Sequence, residues 1–274
     1  MKICIIGLII ILLDSCAPFH TMRTGAGRTK KYEFTHNDIP QAFDNFKIIF
    51  LTDFHYQSLF TRKKLNKLIK TVNKSDADLI LLGGDYHNDC CYVPELFDGI
   101  SQLKSTHGTI AVMGNHDYAA CYQEIVDHMN IYHIRLLEHQ SDTIKLHNEQ
   151  IIIAGVRNPF DLQTNGDAPT LDLSSDDFVI LLTHTPDYIE DVPVTNTDLA
   201  LAGHTHGGQI TLFAIYAPVT RSKYGRRFRS GLKYNSEKTP IIISNGLGTS
   251  RKNIRLFAPS DIVQIKLRIE QSPK

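Results

Sequence analysis

The sequence predicts an α/β fold in which two β-sheets pack together with helices outside them. Three observations carry that expectation. From Lys47 onward, short β-branched runs end in polar, often glycine-bearing clusters, and helical stretches usually follow. The second half is instead rich in strands with few helices between them. Nearly all the strand runs are continuously apolar, which a strand tolerates only when both of its faces are covered. Of the 274 residues, those beyond the N-terminal region suffice for one large α/β domain or two small ones.

In order, "KIIFLTDFH" (47–55) reads as a buried strand ending at Asp53, and "RKKLNKLIKTVNK" (62–74) as a helix. "DLILLGGD" (78–85) is a second strand ending on an acid, followed by a short helix near residues 94–104. "TIAVMGNHD" (109–117) is a third strand, and "YQEIVDHM" (122–129) is helical. "IRLLEH", "TIKLHN" and "QIIIAGV" follow between residues 134 and 156, then "FVILLTH" (178–184), "DLALAGH" (198–204), "PIIISNG" (240–246) and "IVQIKLRI" (262–269). The polar stretch from Asn158 to Asp177 is expected to be a disordered surface loop. There is no internal repeat.

The N-terminus stands apart. Lys2 precedes an apolar run from Ile3 to Leu13, shorter than the ~20 residues of a spanning helix but suited to a signal-peptide core. "LLDSC" resembles a bacterial lipobox, in which Cys16 becomes the lipidated mature terminus; the alternative is an uncleaved short anchor. The expected division is a signal peptide over 1–15, a tether over 16–46 and one domain over 47–270, placed outside the cytoplasm and held to a membrane.

Basic and acidic residues balance at 29 each, so no overall field favours nucleic acid, and nucleic-acid binding is not indicated. Beyond the leader only Cys90, Cys91 and Cys121 remain. A bridge from Cys121 to either member of the adjacent pair is possible in an oxidising compartment, and no CxxC zinc pattern exists.

The chemistry gathers at strand ends. Asp53 and His55, Asp85, Asn115 with His116 and Asp117, His184, and His204 with His206 all follow apolar runs. That is the edge where open α/β sheets bind ligands. Carboxylate, amide and imidazole donors without a thiolate suit divalent Mn, Fe or Zn. Seven donors, Asp53, His55, Asp85, Asn115, His184, His204 and His206, exceed the needs of one ion and make two sites. In "GHTHGGQ" (203–209) the glycines let the backbone turn sharply, and two imidazoles two residues apart can address one metal cluster. Six basic residues and no acid lie between Arg221 and Lys233; Arg221, Arg226 and Arg227 are the candidates to meet a phosphate, against the plainer reading of a solvated basic loop. His87 and Asp89 lie just past Asp85, where they either reach substrate or sit in a surface loop.

"DFH", "GGD", "GNHD", "LLTH" and "GHTHGGQ", in that order, resemble the five-block signature of calcineurin-like metallophosphoesterases. "SKYGRRFRSGL" and "SNGLGTSRKNIRLFAPSDI" are similar to segments of the bacterial subgroup that includes the phosphodiesterases YaeI and YkuE. The resemblance implies a four-layer α-β-β-α sandwich of two mixed sheets flanked by helices. It implies that Asp53, His55, Asp85 and His206 hold one divalent ion, and that Asp85, Asn115, His184 and His204 hold a second. His116 would be the general acid over the leaving group, with Asp117 fixing its ring. The implied reaction is hydrolysis of a phosphodiester or pyrophosphate bond, with water shared by the two ions as nucleophile. The substrate would be a phosphate ester, conceivably lipid-linked. A binding scaffold that has lost activity is the alternative, although no ligand position is missing. A zinc peptidase is disfavoured because no HExxH helix is present.

Overall fold

The computed structural model describes residues 26–270. The period-two geometry of strands decides where its cores lie. In β2 (Lys47–Leu51), Ile48 and Phe50 face one way into a core shared by both sheets, while Ile49 and Leu51 face a second core. In β8 (Val179–Leu182), Ile180 and Leu182 enter the shared core, and Val179 and Leu181 enter a third. Each strand therefore needs apolar residues on both faces, which is why these runs show no polar alternation.

The first sheet has the order β1-β12-β2-β3-β4-β5 and the second β10-β11-β9-β8-β7-β6. In the first, β2, β3 (Leu79–Leu82), β4 (Thr109–Ala111) and β5 (Arg135–Leu136) run parallel, and β12 (Asp261–Ile269) lies antiparallel beside β2. In the second, β7 (Glu149–Gly155), β8, β9 (Leu199–Ala202) and β11 (Pro240–Ile243) are parallel, with β6 (Gln140–Leu146) and β10 (Gly231–Tyr234) antiparallel at the two edges. Two mixed sheets with flanking helices are thus as the sequence led us to expect.

Helices cover the outer face of the first sheet. α1 (Arg62–Val72) buries Leu65, Leu68 and Val72, and α2 (Val93–Ile100) buries Val93, Leu96, Phe97 and Ile100. α3 (Asn115–Ala119) is a short helix at the site, and α4 (Tyr122–Ile131) buries Ile125 and Met129. The spacing of three and four residues puts each set on one stripe, and each such buried side chain contributes roughly 1.5–3 kcal/mol. The outer face of the second sheet is covered differently, by the single-turn helix α6 (Tyr188–Asp191), which buries Tyr188 and Ile189, and by loop residues such as Val194 and Phe228.

Two expectations are corrected, and one pairing left open is settled. The tether foreseen over 16–46 ends early, because Arg28–His36 is strand β1 and pairs in parallel with β12 from Arg28↔Asp261 to His36↔Ile269. Tyr32 and Phe34 pack on the shared core while charged residues alternate with them toward solvent, as an edge strand requires. The folded part thus begins well before Lys47. The loop from Asn158 to Asp177 is folded: it carries helix α5 (Leu162–Asn165), and Asn196 donates to the carbonyls of Leu171 and Leu173. Cys90 pairs with Cys121 in a disulfide, and Cys91 is free and exposed. The expected signal peptide and Cys16 lie outside the described residues. Among the described residues no helix is long and apolar enough to cross a membrane.

Candidate metal centre

Level register brings the parallel strands to a common edge. Leu51 pairs with Leu82 and Leu82 with Ala111 in the first sheet; Leu182 pairs with Leu201 in the second. The next few residues of each strand therefore meet at one end of the sandwich. Asp53, His55 and His206 offer ligand atoms within 4.8 Å of one another, as do Asp85, His184 and His204. Asp85 stands between these groups: its Oδ2 lies 3.3 Å from Nε2 of His55 and 3.3 Å from Nε2 of His184. His206 Nε2 is 3.4 Å from Asp53 Oδ1, and His204 Nδ1 is 3.3 Å from His184 Nε2.

The backbone is bent to achieve this. Asp53 (φ 51), His55 (φ 36), Asp85 (φ 57), His204 (φ 66) and His206 (φ 52) all occupy the left-handed region. Side-chain-bearing residues there cost on the order of 1–3 kcal/mol each, and such strain clusters where function requires it. Gly203 explains part of the sequence pattern. A Cβ on it would stand 2.1 Å from Asp53 Oδ2, so only glycine lets the β9 loop come against that carboxylate. Asp53 is then held by the His204 N–H at 3.1 and 3.0 Å from its two oxygens and by the Thr52 hydroxyl at 2.9 Å.

Residues 46–208 match the sequence pattern of the calcineurin-like phosphoesterase family. The chain belongs to that family. It is similar to a metallophosphoesterase of Helicobacter pylori (32% identity over 228 residues, 81% of this chain and 59% of the relative). It is also similar to metallophosphoesterase YkuE of Bacillus subtilis (30% over 252 residues, 88% and 85%) and to phosphodiesterase YaeI of Escherichia coli (29% over 230 residues, 81% and 82%). The chain thus spans 59% of the length of the Helicobacter relative.

Calcineurin-like phosphoesterases use two divalent metal ions, and two features of this site fit such ions. Asn115 Oδ1 is buried without a hydrogen-bond partner, and buried His55 Nε2 has the Asp85 carboxylate beside it at 3.3 Å without forming a hydrogen bond. An orphaned buried polar atom costs about 1–3 kcal/mol, which a cation would offset. His184 is also set up as a ligand. Its Nδ1–H donates to the Gly83 carbonyl at 2.7 Å, which turns Nε2 toward Asp85.

The charges tell the same story. Burial lowers the His184 imidazole, but Asp85 and Asp53 outweigh it and raise its pKa to about 10. His204 is pushed down to about 3 by burial and by His184. Asp85, despite burial, is held well below the usual carboxylate range by His184 and His55, whereas burial raises Asp53. Protons are shared unevenly among crowded donors, and cations bound here would replace them.

Other calcineurin-like residues sit otherwise than expected. Asp117 does not orient the His116 ring. Its oxygens accept from the backbone N–H groups of Asp85 (2.7 Å), Gly114 (2.8 Å) and Tyr86 (3.0 Å), so it clasps the β3 and β4 loops together. Its place as the third residue of α3 gives it that role. His116 is half-buried, its ring edge-on to His55 at 4.8 Å, and its N–H donates to Asp85 Oδ1. Burial lowers its imidazole. Arg227 is not free for substrate, because its guanidinium pairs with Glu190 at 2.9 Å. Arg226 lies over the Tyr216 ring. Arg221 is half-buried, feels both Asp85 and Asp53, and lines a cavity of about 340 Å³ beside the centre with Thr205, Gln209, Ile210, Val219 and Arg251. His87 is buried, its Nε2 at 3.1 Å from the Ala120 carbonyl, and Asp89 accepts from the Cys91 N–H in an exposed turn.

Two residues escaped the sequence reading. Arg255 is buried and donates to the backbone carbonyls of Asn245, Gly246, Gly248, Ala258 and His206, forming a plug behind the His206 loop. Phe160, in the loop expected to be disordered, stands 5.0 Å from the His204 ring. Arg255 lies within the segment SNGLGTSRKNIRLFAPSDI, where nothing singled it out, and no periodicity or motif marks Phe160.

Proposed function

We propose that the chain is a dinuclear metal-dependent phosphoesterase that hydrolyses phosphodiester or pyrophosphate bonds. The observation that carries this reading is a single buried carboxylate, Asp85, facing His55 and His184 of two donor groups, with Asn115 Oδ1 buried beside it and unpartnered. Asp53, His55, His206 and Asp85 would hold one ion, and Asp85, Asn115, His184 and His204 the other. Bound divalent cations would offset the charge of the phosphoryl oxygens and would make water acidic enough to serve as nucleophile near neutral pH.

The protein's own groups do the rest. His116, at the half-buried lip of the centre, gives its proton to the departing oxygen, a contribution of ~10²–10⁴-fold. Burial disfavours its charged form, and an anionic ester beside it restores the proton. Arg221 supplies a fixed positive charge at the cavity wall. YaeI, described as a phosphodiesterase, supports the diester preference. The leader expected from Lys2 to Cys16 supports a further part of the proposal, that the protein works outside the cytoplasm, tethered to a membrane.

The test is metal content and turnover of bis-p-nitrophenyl phosphate with and without added Mn²⁺. Two bound ions and metal-dependent cleavage are expected. Two bound ions without turnover on any phosphate ester would make the protein a scaffold.

A further inference from the structure

Immediately after the His206 loop the chain makes a projecting hairpin tip. Leu212 and Tyr216 pair antiparallel, and the Ile215 N–H donates to the Leu212 carbonyl at 3.0 Å, closing a tight turn around Phe213 and Ala214. Both central residues have positive φ, 53° and 61°, where glycine or asparagine is usual. Phe213 is 77% exposed, Ile215 75% and Val219 65%, with Leu212, Tyr216 and Ile210 also exposed. Half of the exposed large apolar side chains among the described residues therefore fall within these ten positions. A bulky aromatic held at a left-handed turn position in water serves neither turn stability nor the core.

The hairpin is held in place. Arg229 donates to the Ala214 carbonyl at 2.9 Å, Arg226 lies over Tyr216, and the Phe213 and Phe257 rings are 5.7 Å apart. Its surroundings are cationic. No acidic residue occurs between Asp198 and Glu237; Arg221, Arg226 and Arg229 follow the tip, Lys223 and Arg227 among them are paired with Asp191 and Glu190, and Arg251 and Lys252 line the adjoining cavity. Ile210 and Val219 form that cavity's apolar wall and Arg221 its charge.

Topology adds a second argument. β1 runs antiparallel to β2, so the described chain starts at Ala26 at the same end of the sheets as the metal centre. The chain that precedes Ala26 therefore enters the fold at that end.

We infer that the 210–219 hairpin docks on an anionic lipid bilayer, its apolar tip entering the interface and its basic collar meeting the headgroups. Apolar side chains on a basic rim bind such surfaces through both terms at once. The cavity between tip and metal centre would then take the headgroup side of a membrane-borne phosphoester. That last step rests on the phosphoesterase reading; docking itself does not.

The chain has no tryptophan, so Phe213→Trp makes a unique reporter in the full-length protein. Phosphatidylglycerol-containing vesicles are expected to shift its emission to shorter wavelength, and brominated acyl chains to quench it. Pure phosphatidylcholine vesicles should produce a smaller shift, and Ile215→Ser with Val219→Ser should abolish it. Unchanged emission while the protein sediments with vesicles through its leader overturns the inference. A shift that depends on protein concentration alone assigns the tip to a second copy of the chain and overturns it equally. Turnover of soluble bis-p-nitrophenyl phosphate by the same variants, measured in parallel, keeps failure of docking distinct from failure of catalysis.

Discussion

The two donor groups of the centre are built differently. Asp53, His55 and His206 are all buried, and Arg255 backs them through its carbonyl ring. Asp85 and His184 are as deeply buried, but their partners His204 and Asn115 are half-exposed, and the exposed Phe160 lies against the rim. The first group is backed by Arg255 and has the half-buried His116 edge-on to its His55, whereas the second opens toward Phe160 and Arg221.

The strongest way to break that comparison is Asp85→Ala. Because the carboxylate faces both groups, the variant should lose both ions and all turnover, read by elemental analysis after gel filtration. Retention of two ions per chain would show that the groups are independent. Next in size is His116→Ala, expected to keep both ions and lose ~10²–10⁴-fold on esters with poor leaving groups. A much smaller loss on nitrophenyl esters should accompany it, and equal loss on both would count against proton donation.

Arg255→Met tests the first group. Buried carbonyls left without a donor should lower unfolding free energy by on the order of 3 kcal/mol, measured by urea denaturation. Metal should leave the first group as a consequence. A variant as stable as the parent would remove the plug from the account. With the parent protein, stepwise chelation should release the ions in two phases, the exposed group emptying first; a single phase would erase the distinction. The smallest effect is expected from Phe160→Ala, which should raise KM by less than about tenfold, a loss under 1.4 kcal/mol, and leave metal content unchanged.

Much of this was legible in the chain. The donors were readable because each follows an apolar run, and sheet geometry carries such ends to one edge whatever their separation in sequence. Charge pairing was not readable. Arg227 looked like a phosphate contact until Glu190, 37 positions away, proved to hold it. Asp117 illustrates a subtler limit, since its neighbour in sequence suggested a partner while the turn geometry aimed it at three backbone N–H groups. β1 was missed because an edge strand shows half the apolar signal of a central one, although Tyr32 and Phe34 alternating among charges were its trace. Arg255 sits in a segment that resembles the subgroup, but its role was not readable, because its partners are carbonyls and every residue has one.

The clasp made by Asp117 has a mechanical consequence. Since one carboxylate grips both the segment carrying Asp85 and the segment carrying His116, neither can swing without the other. The proposed proton donor, His116, and the proposed shared ligand, Asp85, therefore move as a rigid pair, and adapting this scaffold to bulkier esters means reshaping the opposite wall, around Phe160 and Arg221.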